Sequence, residues 1–458
     1  MTDPREHPIR LVVNDDELER LRITVFFRAL LAVPHFIWLF LWSIVAQIAA
    51  IVNWFATLAL ARSPRPLHRF LAAYVKYVTQ FYAYLHLAAE RYPSFDGADG
   101  YAVDLIIAPS ARQSRLSVLF RGILLLPAVL LVSVLVGDPS GGLGSSVTFF
   151  TSNLGLLPTV ALLAWFASLV RGATPRGLRD AILYPLSYGA QFWAYALLLT
   201  DRYPDSDPQA LARLPADEHP IRLEIGDRDR LRRSRLTVFF RALLSLPHLV
   251  WLELWGLLAL LAVIASWFVT LVRGRSPEPL HRFLAAYVRY QFHVYAFLYL
   301  VANPFPGFVG APRSYPLEIV VAESAPQNRW KTGFRLVLVV PALVLAGAYG
   351  AVANLVGVLS WFSTLARGRA PLGLRNAGAL ALRYQSQMLA YALLLTDVYP
   401  YSGPVRLGGD EQGRDANSAP PALQGPPVWR LTASPDEPVA GAAGGAGVGV
   451  SGEPGGVG

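Results

Sequence analysis

Four long apolar blocks constrain this chain more than any other feature. The first covers residues 23–60, and Arg28 is its only charged residue. About 20 apolar residues already span the hydrocarbon core of a bilayer. The whole chain is 54% hydrophobic and only 16% charged, whereas about a quarter of the residues in soluble domains are charged. The sequence therefore predicts an integral membrane protein.

The apolar blocks belong to an internal repeat. The strings HPIRL, TVFFRALL and PLHRFLAAYV occur once in each half of the chain, and YALLLTD occurs at 195–201 and 391–397. The order A-B-A′-B′ is the one that duplication of an A-B pair would produce. We therefore divide the chain into unit one (1–96), unit two (97–208), unit three (209–310), unit four (311–403) and a tail (404–458).

All four units share a skeleton of fixed spacing. An arginine lies six residues before a proline, a Trp-Phe pair follows, and a second proline lies ten residues after that tryptophan. The two prolines are 30 residues apart in units one, three and four, and 48 apart in unit two. The 18 extra residues surround GDPSGGLGSS at 137–146. This stretch would lack hydrogen-bond partners in hydrocarbon, which predicts an exposed loop insertion.

The position of this insertion favours a transmembrane helical hairpin in each apolar block. A single helix over residues 336–366 of unit four would be about 46 Å long, more than a core of about 30 Å requires. Basic residues flank both ends of each block, as Arg22 and Arg65 do in unit one. A hairpin places both ends on one side, which the positive-inside rule assigns to the cytoplasm. A kinked single crossing or a re-entrant loop is the alternative.

Two further elements complete each unit. Alternating segments predict short strands at 8–13, 102–107, 221–225 and 316–321. Because lone strands are marginal, the four could pair into one small sheet on the cytoplasmic side of the membrane. Apolar residues at helical spacing after each second proline predict an amphipathic helix. The tail, rich in Gly, Ala and Pro, is expected to be disordered. Both the tail and the N-terminus are expected to lie in the cytoplasm. The predicted fold class is an all-α integral membrane protein with a small β element.

The candidate site residues are the repeated arginines Arg28, Arg121, Arg241 and Arg335, together with Glu253. An ionisable group inside a membrane is a functional hypothesis by default. The arginines lie near the start of each block, so a structural anchor or a lipid-headgroup contact competes with an ion or substrate site. Glu253 has no counterpart in the other units, and a buried carboxylate at mid-block costs about 2–3 kcal/mol unless it lies near a hairpin turn.

Weaker candidates are two histidines and three glutamines. His35 and His248 follow the first proline of units one and three and could share a metal, but no third ligand is in register. Gln80, Gln191 and Gln387 each lie one helical turn before a tyrosine, which predicts hydrogen bonds between helices or the lining of a polar cavity.

Catalytic signatures are missing from the sequence. It has no H-E-x-x-H, Walker or G-x-S-x-G motif and no cysteine. We therefore predict no catalytic residues, no cofactor and no resident metal. The net charge of +9 lies beside apolar blocks rather than in a nucleic-acid-binding motif, so we predict membrane lipids and not nucleic acid as partners.

The strings HPIRL, FFRALLAVPH, WFATLALARSP and YALLLTDRYP together resemble domain-of-unknown-function family 4389. The resemblance covers residues 7–403, as four tandem copies, and unit two departs from it through its insertion. It implies a bacterial membrane protein, commonly of actinobacteria, and implies no activity and no site residue.

These observations predict a non-enzymatic scaffold or interaction protein of the bacterial inner membrane, multi-pass, with a basic cytoplasmic face. Protein partners and a homo-oligomer remain open. The alternative is a transporter or channel, because many transporters are built from duplicated repeats. A lipid-modifying enzyme is the third hypothesis, and the sequence offers it no cluster of acid, base and nucleophile.

Overall fold

The computed structural model describes residues 7–15, 17–137, 155–215, 219–225 and 233–407. This part of the chain is mostly helical. Unit one contains β1 (Ile9–Val13), α1 (Arg22–Leu31), α2 (Val33–Leu60) and α3 (Arg65–Leu85). Unit two contains β2 (Val103–Ile107), α4 (Arg115–Leu119), α5 (Arg121–Leu135), α6 (Leu156–Arg171) and α7 (Arg176–Ala196).

The second half follows the same order. Unit three contains β3 (Leu214–Pro215), β4 (Ile221–Ile225), α8 (Arg235–Phe239), α9 (Arg241–Arg273) and α10 (Glu278–Leu298). Unit four contains β5 (Leu317–Val321), α11 (Arg329–Gly333), α12 (Arg335–Leu338), α13 (Val340–Arg367) and α14 (Leu372–Ala392), and β6 (Val405–Arg406) follows it.

The predicted hairpin inside each apolar block is wrong for units one, three and four. Their blocks form continuous helical stretches of 39, 33 and 33 residues, Arg22–Leu60, Arg241–Arg273 and Arg335–Arg367. Each is long and apolar enough to cross a membrane. The physical reason is that a helix bonds every backbone polar group within the segment, whereas a turn would leave several unpaired. Pro34 does not interrupt this bonding, because it lies in the first turn of α2.

Unit two differs because of its insertion. Helix α5 ends at Leu135 and α6 begins at Leu156, yet these two helix ends lie next to each other. Gly155 is so close to Gly137 that a Cβ atom at Gly155 would lie only 2.7 Å from the Gly137 nitrogen. Both helices pack on α7, as α9 packs on α10. Helices α5 and α6 thus occupy the place that one apolar helix fills elsewhere. Of the predicted loop at 137–146, all but Gly137 lies outside the described residues.

The real helical hairpin lies at the second proline of each unit. In unit one, α2 ends at Ala61, whose φ is +54°, and α3 begins four residues later. The two helices run antiparallel, since His35 stacks with Phe81 while Trp42, further along α2, meets Phe70 near the start of α3. The hairpin therefore joins an apolar helix to an amphipathic one.

The four predicted strands are confirmed to within one residue, but the single sheet is wrong. Strand β1 pairs antiparallel with β2, and β4 with β5, as two separate ribbons. The reason is that each strand packs on a different helix. Strand β1 packs on α7 and β2 on α3, while β4 packs on α14 and β5 on α10. Each strand thus covers the amphipathic helix of the neighbouring unit, which separates the two ribbons.

The boundary predicted for the disordered tail is too early. Strand β6, at Val405–Arg406, pairs in parallel with β3, and Gln209 receives a hydrogen bond from the Leu407 nitrogen at 3.0 Å. Residues 404–407 therefore belong to the folded part. The rest of the predicted tail, 408–458, lies outside the described residues.

Candidate functional site

The four repeated arginines are buried, with at most 3% of each residue exposed. Each guanidinium lies over an aromatic ring near the end of its own unit's amphipathic helix, with the Cζ atom 3.9–4.5 Å from the ring centre. The pairs are Arg28 with Tyr84, Arg121 with Tyr195, Arg241 with Phe297, and Arg335 with Tyr391. Such desolvated cation–π contacts stabilise by about 2 kcal/mol.

Hydrogen bonds complete each contact. Arg28 donates to the carbonyl oxygens of Tyr84 and Ala89 at 2.6 and 3.0 Å, and it pairs with Glu90. Carbonyl groups at a helix C-terminus carry partial negative charge, which favours a cation there. We call the arginine, its aromatic ring and its terminal partner the arginine clamp. It fixes the start of each apolar helix to the end of the amphipathic helix.

The terminal partner varies between units. It is Glu90 in unit one, Asp201 in unit two and Asp397 in unit four. In unit three it is Asn303, whose side-chain oxygen accepts from Arg241 at 3.3 Å. Three clamps therefore hold a carboxylate and the third unit's clamp holds a neutral amide.

The structure brings the predicted arginines into four separate clamps rather than one shared site. Contact with lipid headgroups stays a prediction, and the burial of the guanidinium groups among protein atoms does not favour it. The aromatic and acidic partners were not singled out from the sequence. A signal was present, because YALLLTD places the aromatic and the acid six residues apart at the end of units two and four.

Glu253 lies outside these clamps, exposed on α9. The predicted hairpin turn near Glu253 does not exist, since α9 continues through it. In the part of the chain that the structure describes, no contact of Glu253 points to a catalytic role.

His35 and His248 have equivalent surroundings in their own units. The Nδ1 atom of His35 lies 2.8 Å from the hydroxyl oxygen of Tyr77, and His248 has the same distance to Tyr290. Within the described residues there is no group of three His, Cys, Asp or Glu that could hold a metal ion. The two histidines therefore serve as helix-to-helix contacts.

The three glutamines connect helices to strands and loops rather than to other helices. Gln387 donates to the Ile221 carbonyl oxygen at 2.8 Å and accepts from the Tyr401 nitrogen at 3.0 Å. Gln191 makes the corresponding bonds to Ile9 and Asp205. Gln80 donates to Ala98 and Asp104. These bonds position the β ribbons on the amphipathic helices.

The histidine of each HPIRL string begins a ribbon. The Ile221 nitrogen donates to Nδ1 of His219 at 3.0 Å, and Ile9 does the same to His7 at 3.2 Å. Burial lowers the pKa of His219 to about 4, and burial likewise lowers the pKa of His7. Both rings are therefore neutral at pH 7. The same Nδ1 atoms lie 2.9 Å from the carbonyl oxygens of Ile9 and Ile221, so each ring is held by the backbone of the residue two positions later.

Comparison with protein-family models found three matching segments, at residues 22–96, 235–309 and 329–402. Each of them matches the model of a domain of unknown function, DUF4389. Comparison with curated proteins found no match, and comparison with solved structures found none either.

Each DUF4389 segment contains one apolar helix, one amphipathic helix and one complete arginine clamp, while strands β1, β4 and β5 lie before the segments. The clamp is thus built within the segment. Unit two is not matched, yet the structure gives it a clamp of the same composition as unit four, with Arg121 over Tyr195 and 3.1 Å from Asp201.

An apolar groove of about 470 Å³ lies between the first DUF4389 segment and unit two. Helices α2, α3 and α7 form its walls, through side chains that include Phe36, Phe40, Tyr74, Val78 and Trp193. Its volume is that of a small-molecule site, but its lining offers few polar groups for chemistry. The groove can hold an apolar chain and provides no acid–base pair.

Proposed function

We propose that this chain is a non-enzymatic scaffold embedded in a membrane by its apolar helices, with membrane lipids as its first partner. The observation that carries this proposal is the exposure of those helices. Ile37, Ile48 and Phe55 on α2 are 59–61% exposed, and similar side chains cover α9 and α13. Soluble monomers rarely expose contiguous apolar patches larger than a few hundred Å², and hydrocarbon is the solvent that such surfaces require.

The use of the polar groups on the apolar helices, both the buried ones and the exposed Asn354, supports a scaffold over an enzyme or a transporter. The arginines are held within their clamps. Asn53 donates to the Leu197 carbonyl oxygen at 3.0 Å, and Asn354 accepts from the Tyr299 hydroxyl at 2.8 Å. Side chains that would line a polar passage or a reaction centre thus already hold helices together.

The proposal includes four copies of one unit in a bacterial inner membrane, with the basic ends of the apolar helices toward the cytoplasm. The clamp in unit two supports its place as a divergent fourth copy. The basic flanks at both ends of each apolar block support a cytoplasmic location for them.

Membrane extraction tests the embedding. The chain should stay with the membrane pellet in 1 M salt and in alkaline carbonate, to be released only by detergent, because the apolar helices and not surface charges hold it. A matched control is a variant with its exposed basic residues Arg62 and Arg65 changed to Gln, which should remain in the pellet. Release of the wild-type chain by salt or carbonate would overturn the proposal.

Reconstitution separates a scaffold from a transporter. Vesicles that contain the chain should show the same ion and solute flux as protein-free vesicles, and Glu253→Gln should change nothing. A flux that depends on the chain and is lost in Glu253→Gln would make transport the better description.

A further inference from the structure

We infer that the apolar helices lie flat within one leaflet, with both β ribbons on the water side, so that the chain enters the membrane from one face without crossing it. This inference rests on the proposed membrane embedding and adds its orientation. Three of the apolar helices are long enough to cross. The location of charged groups along the amphipathic helices decides against a crossing.

The first observation is a charged cluster beside the middle of α3. Lys76, near the midpoint of Arg65–Leu85, pairs with Asp99 and lies 3.1 Å from Asp104. The side chain of Asp99 is 97% exposed. If α3 stood along the bilayer normal, these charges would face hydrocarbon near the mid-plane, where Asp and Lys are rare and costly.

The ribbon of β1 and β2 also indicates that α3 lies beside water and not in hydrocarbon. Strand β2 packs along α3, and within the part of the chain that the structure describes it pairs with β1 alone, so no further strand covers the outer edge of either strand. Open sheet edges do not occur in contact with hydrocarbon, because their backbone groups would have no partners. In the second ribbon, Arg222 and Glu224 on β4 have side chains that are 40% and 54% exposed. Both ribbons therefore require water.

The apolar helix takes its direction from the amphipathic helix beside it. Helices α2 and α3 lie antiparallel along each other, as the contacts of His35 with Phe81 and of Trp42 with Phe70 show. If the ribbon on α3 lies in the aqueous interface, then α3 lies in the interface plane, and α2 lies parallel to that plane.

The order of layers follows from α3 itself. Residues two positions apart on a helix point about 200° apart. Lys76 and Gln80 face the ribbon and its loop, whereas Tyr74 and Val78 face the groove beside α2. The ribbon and the apolar helix thus lie on different sides of α3. A helix is about 10–12 Å in diameter, which fits the half-thickness of a hydrocarbon core of about 30 Å.

Helix α2 has the two-sided surface that a flat orientation requires. His35, Ala46 and Asn53 are buried along one line. Ile37, Ile48 and Phe55 are exposed along the opposite line, and Ile37 and Phe55 are five full turns apart and so point the same way. One line faces protein and the other faces lipid over the whole length. The basic residues at both ends then reach the same headgroup layer without a hairpin.

Depth measurement tests the orientation directly, and the chain has no native cysteine to interfere. Spin labels on the single variants Ile37→Cys, Ile48→Cys and Phe55→Cys, in phosphatidylcholine–phosphatidylglycerol vesicles, report depth through their relative exposure to oxygen and to a nickel chelate. We expect the same depth for all three. A helix along the normal would separate Ile37 from Phe55 by about 27 Å, and a monotonic change of that size would overturn the inference while leaving membrane embedding intact.

Sidedness provides the second readout. Arg22→Cys and Arg65→Cys, at the two ends of the first apolar helix, and Asp99→Cys, at the ribbon, are all exposed. A membrane-impermeant maleimide should label all three from one face of sealed vesicles, and labelling of Arg22→Cys and Arg65→Cys from opposite faces would overturn the inference. If no spin label senses oxygen-rich hydrocarbon and the chain does not float with the vesicles, the proposed function fails as well.

Discussion

The arginine clamp of unit four can be broken by Arg335→Met, which keeps most of the side-chain volume and removes the charge. Three hydrogen bonds are lost, to the Thr396 carbonyl oxygen, to the Gln327 amide oxygen and to Asp397. The contact with the Tyr391 ring, 4.1 Å from the Cζ atom, is also lost. The start of the apolar helix is then no longer tied to the end of α14.

The magnitude follows from the partner that remains. Breaking a buried ion pair by removing one member costs about 3–5 kcal/mol, because the other charge is left uncompensated. The Asp397 side chain is 19% exposed and can recover some hydration, so we expect the lower end, about 3 kcal/mol. The lost cation–π contact is included in that figure and not added to it.

A natural comparison is present within the chain. Asp397→Asn recreates the amide that unit three carries at Asn303. Its remaining oxygen can still accept from Arg335, whereas its amide nitrogen cannot accept from the Asn328 nitrogen, which lies 2.6 Å from the second carboxylate oxygen and is exposed enough to bind water instead. The cost of the lost charge is about 1 kcal/mol. The order of stability should therefore be wild type, then Asp397→Asn, then Arg335→Met.

The assay is reversible unfolding in mixed micelles, followed by circular dichroism as the fraction of denaturing detergent rises. The free energy of unfolding should fall by about 3 kcal/mol in Arg335→Met and by about 1 kcal/mol in Asp397→Asn. A loss below 1 kcal/mol in Arg335→Met would refute the structural role and reopen an external ligand for these arginines.

Two further predictions concern local conformation and pH. Ala61 ends α2 at a φ of +54°, whereas glycines end the other apolar helices at a φ of about +70°: Gly172, Gly274 and Gly368. Ala61→Gly should therefore relieve backbone strain and raise the free energy of unfolding by about 0.5–1 kcal/mol. Gly274→Ala should lower the free energy of unfolding, and the same micelle assay measures both. Because burial lowers the pKa of His219 from 6.5 to about 4, the folded chain binds fewer protons than the unfolded chain between those values. His219 should therefore add its full share of stability above pH 6.5 and lose about 3 kcal/mol of it as the pH drops to 4. The pH dependence of the free energy of unfolding should be shallower in His219→Asn by that amount, and an unchanged pH dependence would count against the burial of His219.

Local pattern was enough to predict the small elements. The strands were placed to within one residue because apolar and polar residues alternate between clear turn residues. The amphipathic helices were placed by the spacing of residues such as Phe70, Tyr74 and Val78, and α3 begins one residue after Pro64. These are properties of consecutive residues, which a sequence shows directly.

Orientation and pairing were not predictable in the same way. The hairpin was inferred because a helix of 31 residues is too long to cross a bilayer along its normal, a premise that fails if the helix lies flat. The single sheet was inferred because lone strands are marginal, but the partner of each strand depends on which helix it covers. The clamp joins residues 56 to 62 positions apart in units one, three and four, so its partners could be found only by aligning the units with one another.

The contacts between neighbouring units explain why the sequence repeats as pairs. At the end of the apolar helix of unit one, the Ala61 carbonyl oxygen accepts a hydrogen bond from the Gln113 nitrogen of unit two at 2.8 Å. Just before the start of that helix, the Arg20 nitrogen donates to the Gly172 carbonyl oxygen of unit two, also at 2.8 Å. Units three and four repeat this exchange through Gly274 and Gly368. One unit alone would leave these helix ends open, its strand unpaired and its amphipathic helix uncovered. Since each unit supplies what its neighbour lacks, a pair of units is the smallest piece that satisfies its own backbone, and the order A-B-A′-B′ is what duplication of such a pair would leave.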